Sequence, residues 1–317
     1  TPNGLMIGLI RLGQGEQAVK VFMETRNLVR ITSDSLLVLL SSFPEFSSLD
    51  VGRRKGGELH ANVIRNGLDY SKVSVGNGLI NMYAKCDAIE DAFSVFRLMV
   101  DRDSVSWNSI ISGLDQNERF EDALIIFHRM KSTGLVPSNF TIISVLSSCG
   151  KLGWIAMGGQ LHSEGLKLGL DFDVSVSNAL LSLYANCGFI ATCRKLFSLM
   201  TEHDQVSWNS IIGALSSSDI YGHDAIGYFK EMMQSGWKLN KVTFINVLEA
   251  LVSPSLLELA HQVHSLVLKY GAMNDSSIEN ALLSCYGKCG AINLCENIFS
   301  RMLGRRDDVS WNCMISG

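Results

Sequence analysis

Apolar and polar positions along this chain follow a period near three and a half. Between residues 104 and 138, Val105, Ile111 and Leu114 lie on a first segment, and Ala123, Ile126, Phe127 and Met130 follow on a second at spacings of three and four. Such a stripe covers one face of an amphipathic helix. Asn117-Glu118 separates the two segments, and Gly134 and Pro137 end the second. The second stripe returns as Ala92, Val95, Phe96, Met99, as Cys193, Leu196, Phe197, Met200, and as Cys295, Ile298, Phe299, Met302. A lone pair of helices cannot bury such stripes, whereas a stack of successive pairs can. The pattern predicts an all-α chain of stacked helical hairpins.

The hairpins recur at a long period. Ser106-Trp107-Asn108-Ser109-Ile110-Ile111 returns as Ser207-Trp208-Asn209-Ser210-Ile211-Ile212 and as Ser310-Trp311-Asn312-Cys313-Met314-Ile315, at spacings of 101 and 103 residues. Asn77 to Cys86, ending in Tyr83-Ala84-Lys85-Cys86, returns as Asn178 to Cys187 and Asn280 to Cys289. Glu58-Leu59-His60 returns as Gln160-Leu161-His162 and Gln262-Val263-His264. A fixed period marks a repeat architecture rather than one central core. Two-helix units are expected at 33–72, 73–103, 104–138, 139–173, 174–204, 205–240, 241–275 and 276–307, with partial ones at 1–32 and 308–317, as a single solenoid over 1–317. Seven of them have 31 to 36 residues, and the unit at 33–72 is stretched to 40. Its extra residues fall between Pro44 and Gly57, where Ser, Gly and Arg53-Arg54-Lys55 suggest a longer turn. Thr1-Pro2-Asn3-Gly4 aligns with the Ser-Trp-Asn-Ser slot, so the sequence is expected to be a window on a longer protein that opens and closes inside helices.

Composition narrows the picture without supplying chemistry. An apolar fraction of 47% with mean hydropathy +0.18 excludes a disordered chain. No run of about 18 apolar residues suggests a membrane span. A net charge of −4 and a pI of about 6.0 give no electrostatic sign of a nucleic-acid partner. Eight cysteines fit a reducing compartment better than a disulfide scaffold. Cys86, Cys187 and Cys289 share one repeat slot, and Cys193 and Cys295 stand where Ala92 stands, so they read as small buried side chains. Gly56-Gly57 and Gly158-Gly159 lack the preceding strand and the following Lys of a phosphate loop.

An asparagine that keeps one slot is harder to assign to helix stability, because Asn is a mediocre helix former. Val105 and Asn108 are three apart and share a helix face, while Trp107 is rotated about 100° away. An amide offers donors and an acceptor, so in an exposed groove it can meet a base edge; bonding within the first turn is the structural alternative. Trp107, Trp208 and Trp311 point off that face and are expected to pack between units, although aromatics also stack on single strands. Asp103, Ser138, Asp204, Asn240 and Asp307 each stand just before a predicted helix and are good N-cap residues.

The run of units of about 35, 35 and 31 residues, carrying Ser-Trp-Asn-Ser-Ile-Ile, Tyr-Ala-Lys-Cys and Gln-Leu-His in this order, resembles the pentatricopeptide repeat family and specifically its plant PLS subclass. On this resemblance 33–72, 139–173 and 241–275 are L units, 73–103, 174–204 and 276–307 are S units, and the rest are P units of a right-handed α-solenoid. The resemblance implies binding of single-stranded RNA, one nucleotide per unit, in a mitochondrion or chloroplast. The service would be C-to-U editing, or RNA processing and stabilisation without editing. It further implies that each base is read by the fifth residue of a unit with the last: Asn77 with Asp103, Asn108 with Ser138, Asn178 with Asp204, Asn209 with Asn240, and Asn280 with Asp307. Second-position residues Val105, Val206 and Val309 would pack on bases. The family's pattern then gives 5′-U-C-N-U-Y-N-U-3′, counted from Asn77. Fifth residues of the L units are Leu37, Ile143 and Ile245, which cannot hydrogen-bond a base. Such units resemble binding sites for multiple organellar RNA editing factor proteins, and a protein-interaction scaffold is the alternative function. His162-Ser163-Glu164 matches half of a zinc deaminase signature, but no C-x-x-C accompanies it, and His60 and His264 lack the Glu. No catalytic set, metal or cofactor is expected within these residues.

Overall fold

The computed structural model describes residues 2–25, 33–43, 48–65, 67, 72–170, 173–218, 220–302 and 304–316. Among them all regular structure is helical, with nineteen α-helices. The helices gather in two compact units, Thr1–Leu161 and His162–Gly317. The first unit holds α1 (Pro2–Arg11), α2 (Gly15–Thr25), α3 (Ser33–Ser41), α4 (Leu49–Arg65), α5 (Val73–Lys85), α6 (Ile89–Leu98), α7 (Ser104–Gln116), α8 (Phe120–Ser132) and α9 (Asn139–Leu152). The division falls within α10 (Ile155–Lys167). The second unit holds α11 (Val174–Asn186), α12 (Ile190–Leu199), α13 (Gln205–Ser216), α14 (Gly222–Gln234), α15 (Lys241–Glu249), α16 (Leu257–Lys269), α17 (Ser276–Lys288), α18 (Ile292–Arg301) and α19 (Asp308–Ser316).

Within each unit the odd-numbered helices form one layer. In the first, α3 packs on α1 and α5, and α7 on α5 and α9; in the second, α13 packs on α11 and α15, and α17 on α15 and α19. Even-numbered helices fold back on this layer, as α6 does on α5 and α7, and α12 on α11 and α13. The apolar stripes lie between the layers: Ala92, Val95, Ala123, Phe127, Met130, Cys193 and Met302 are almost wholly buried. Each such helix therefore loses its stripe to two neighbours, as stacking requires.

One expectation fails. Residues 44–47 lie outside the described residues, but Leu49–Arg65 is a 17-residue helix rather than part of a long turn. Its buried face includes Gly52, Gly56, Leu59 and Val63, a helical stripe in which two positions are glycine. A Cβ at Gly56 would stand 2.9 Å from Met82 Sδ, so the missing side chain is what lets α4 approach α5. The charged residues lie on the other faces, with Lys55 Nζ 3.2 Å from Glu58 and Arg53 3.3 Å from Asp91. Gly and Arg-Arg-Lys imitate a loop in sequence because the stripe is built from small residues.

Several of the turns after odd helices hold one residue in the left-handed region. Gly188 and Gly290 provide it with φ of 78° and 75°, while the equivalent Asp87 adopts 54° and Glu118 adopts 58°. For a residue with a Cβ this conformation costs about 1–2 kcal/mol, so packing on both sides holds it there. No helix among the described residues is long and apolar enough to cross a membrane.

Candidate functional site

Five odd helices begin behind the N-cap residues that the sequence singles out. Asp103, Ser138, Asp204 and Asn240 accept from the backbone N–H three residues on, and the side chain there returns a bond to the cap backbone. Asp307 does the same for α19 with Ser310, at 2.8 Å and 3.2 Å. Each is thus a reciprocal capping box, worth about 1 kcal/mol to its helix.

The same five residues meet the five asparagines. Asn77 Nδ2 donates to Asp103 Oδ1 at 3.2 Å, Asn108 to Ser138 Oγ at 3.0 Å, and Asn178 to Asp204 Oδ1 at 3.0 Å. Asn209 donates to Asn240 Oδ1 at 3.3 Å, and Asn280 to Asp307 Oδ1 at 3.1 Å. Capping and partnership therefore coexist: one oxygen accepts from the N-terminus of the odd helix that follows it and from the amide on the odd helix before. The amides are less open than an exposed groove would make them, since Asn77, Asn178, Asn209 and Asn280 are buried and Asn108 is half-buried. The neighbouring odd helix covers the fifth slot, which a helical-wheel argument on one helix does not reveal.

The oxygens of these amides fall into two groups. Thr243 Oγ1 donates to Asn209 Oδ1 at 2.7 Å, Ser310 Oγ to Asn280 Oδ1 at 2.7 Å, and Thr141 Oγ1 to Asn108 Oδ1 at 2.5 Å. Asn77 Oδ1 and Asn178 Oδ1 are buried without a partner: the Ser106 and Ser207 hydroxyls reach only Asp103 and Asp204, at 2.9 Å, whereas Ser310 shares its one proton between Asn280 and Asp307, both at 2.7 Å, and Thr243 between Asn209 at 2.7 Å and Asn240 at 2.9 Å. Burial opposes ionisation at Asp103 and Asp204. Bonds from Ser106 and Ser207 and from the asparagine amides outweigh it and hold both carboxyls below the usual range. At Asp307 the backbone N–H of Ser310 leads, with the same outcome.

Beside the amides runs a row of exposed apolar side chains. Val105, Val206 and Val309 are each about half exposed, at 52%, 56% and 54%. Phe140 and Val242 occupy the same second slot in 139–173 and 241–275 and are exposed at 69% and 49%. Sequence reasoning passed over these two; counting from Asn139 and Lys241 would have found them. A cavity of about 420 Å³ opens at the Asn77–Asp103 pair, lined also by Ser74, Asn81, Lys85 and Val105. The apolar fifth residues behave differently: Leu37, Ile143 and Ile245 are half-buried, and Lys241 Nζ pairs with Asp275 Oδ2 at 2.9 Å in the last of these units.

The tryptophans face away, as their rotation requires. Trp107 and Trp208 are buried and set edge-on against Phe96 and Phe197 at 5.0 Å between centroids. Trp311 meets Phe299 at 4.8 Å but is half exposed, a departure from full packing. The residue before the last also recurs unnoticed: Arg102 and Arg306 Nε donate to the carbonyls of Phe96 and Phe299, and His203 Nε2 lies 3.0 Å from that of Phe197. These bonds tie the end of each even helix to the chain that delivers the aspartate.

His162 makes the contact that its repeat counterparts make. Its Nδ1 lies 2.8 Å from the Tyr184 hydroxyl, as His60 meets Tyr83 and His264 meets Tyr286, both at 2.9 Å. Burial pushes these imidazoles toward the neutral form, against Asp91 at His60 and with help from His261 and Arg301 at His264. Among the described residues no three His, Cys, Asp or Glu side chains are grouped to hold a metal. Burial pushes the Cys193 thiol up to about 11, in keeping with a packed side chain.

Family models agree with this geometry. One described as PPR repeat family matches residues 102–151, and one described as PPR repeat matches 77–104, 175–204 and 280–306. A pentatricopeptide repeat-containing protein of Arabidopsis thaliana is 52% identical over 318 residues, with 100% of this chain and 32% of that protein covered. Another from the same plant, named chloroplastic, is 33% identical over 99% of this chain and 38% of its own length. A third, named mitochondrial, is 36% identical over 83% of this chain and 34% of its own length. The chain thus spans about a third of these relatives. In fold it matches the pentatricopeptide repeat protein PPR10, solved in complex with an 18-nt psaJ RNA element, with TM-score 0.72 and 14% identity over 99% of this chain and 52% of that one.

Proposed function

Because the chain belongs to the pentatricopeptide repeat family, we propose that it binds single-stranded RNA, with bases met one per unit at the asparagine slots. The observation that carries this reading is the repeated bond between the fifth-slot amide and the side chain that caps the next odd helix, beside a row of exposed apolar residues. Uracil offers N3–H and O4 side by side. Asn77 and Asn178 each have a second amide proton for O4 and an oxygen without a protein partner, which N3–H reaches once the base displaces the side chains that cover it. An aspartate fixed by three or more donors keeps that amide turned the right way. Val105 and Phe140 then supply apolar surface against base faces, worth about 1–3 kcal/mol per stacked base where the contact is aromatic. The cavity beside Asn77 is of a size with small-ligand clefts, about 300–1,000 Å³, and Lys85 on its wall can face a phosphate.

The proposed target is 5′-U-C-N-U-Y-N-U-3′, where N stands for the units with Leu37-like fifth residues. We propose that the parent protein works in a mitochondrion or chloroplast, since relatives carry both names. Binding here would position a transcript for C-to-U editing, with deamination carried elsewhere and with multiple organellar RNA editing factors on the L units. Gel shifts test the reading: the target RNA should bind more tightly than its purine-substituted version, and equal binding would overturn it. Exchanging Asn178→Thr together with Asp204→Asn should move the preference at that base from U toward A.

A further inference from the structure

The Ser of Ser106-Trp107-Asn108, and its counterparts Thr141, Ser207, Thr243 and Ser310, has no part in the pairs assigned above. All five are wholly buried hydroxyl residues at the third position of an odd helix. Capping alone accounts for a bond to the N-cap residue. It does not account for the second bond at three of them, where the hydroxyl crosses to the preceding odd helix and donates to the asparagine oxygen.

Asn209 is the clearest case. Its nitrogen is held by Asn240 Oδ1 at 3.3 Å, its oxygen by Thr243 Oγ1 at 2.7 Å, and its backbone carbonyl by Asn246 Nδ2 at 2.8 Å. An amide tied at both ends cannot turn over without losing two hydrogen bonds, so its donor and acceptor keep fixed places. An amide is otherwise free to present either edge, and the two edges match different bases. We propose that Thr141, Thr243 and Ser310 are positioning residues: each sets the edge that the asparagine of the preceding unit presents, and so sharpens the choice of base there. At Asn77 and Asn178 the hydroxyl is turned to the aspartate, and the carboxylate alone orients the amide. This inference rests on the RNA-binding reading and adds a third residue to each pair.

The test uses one RNA set that differs only at the base opposite the 205–240 unit, for the wild-type chain, Thr243→Val and Thr243→Ser, and a second that differs only at the base opposite the 174–204 unit, for the wild-type chain and Ser207→Ala. Thr243→Val should cut the pyrimidine-over-purine ratio by about fivefold, the effect of one lost hydrogen bond, and Thr243→Ser should restore it. Ser207→Ala removes the equivalent capping hydroxyl without touching Asn178, so at the base opposite the 174–204 unit it should leave the uracil preference in place. A wild-type ratio retained by Thr243→Val overturns the inference while the reading stands. Loss of preference in Ser207→Ala as large as in Thr243→Val also overturns it, as a general effect of a weakened cap. A wild-type chain that binds all four bases equally overturns the reading itself, and the inference with it.

Discussion

Asn178 Nδ2 donates to Asp204 Oδ1 at 3.0 Å across 26 positions of sequence, and the same oxygen accepts from Ser207 N at 2.8 Å. One carboxylate therefore starts α13 and fastens it to α11. Asp204→Ala removes both functions and should destabilise the second unit by about 1 kcal/mol or more, whereas Asp204→Asn keeps the cap. Thermal unfolding followed by circular dichroism separates the two variants.

The carboxyls of Asp103, Asp204 and Asp307 are depressed in the folded chain. Their contribution is fully present above the unfolded value of about 3.9 and is lost as pH falls through the lower folded values. Acid titration of the wild type should show this loss below about pH 4, and Asp204→Asn should show less of it.

The histidines act in a separate window. His60, His162 and His264 are held neutral by burial, so the unfolded chain takes up protons first, near pH 6.5. Stability is full above that pH and declines as pH falls from there toward the folded values. A chain with glutamine at all three positions should lose this slope between about pH 7 and 5, as read from urea midpoints.

Two glycines in helices make opposite predictions. A Cβ at Gly57 in α4 meets nothing within 4 Å, so Gly57→Ala should stabilise by about 0.5–1 kcal/mol through helix propensity. At Gly113 in α7 it would stand 2.8 Å from the Ala84 Cβ, which cannot rotate away. Gly113→Ala should therefore destabilise, by about 1–3 kcal/mol; chemical denaturation of both variants checks the signs.

Phe140 is exposed at 69% on a helix whose fifth residue, Ile143, is apolar. A flat apolar ring can still stack on a base. Phe140→Ala should lower RNA affinity by about 1–3 kcal/mol with no change in thermal stability, and fluorescence anisotropy with the target RNA measures it.

The helical hairpins, their period and the slot that the asparagines share were legible in the chain itself. Periodicity of apolar side chains is a local property, and a repeat writes the same local answer many times. The helix Leu49–Arg65 escaped because its stripe uses Gly52 and Gly56, which carry no hydropathic signal until Met82 is seen filling the space above them. The resemblance implied the pair Asn178 and Asp204, but tertiary structure alone decided that the two are hydrogen-bonded, that His162 meets Tyr184, and which third-position hydroxyls reach an asparagine oxygen. Those contacts depend on how far one odd helix stands from the next and on which rotamer the gap admits. Spacing along a chain specifies which residues share a helix face; the distance between two faces is set only when the stripes beneath them have packed.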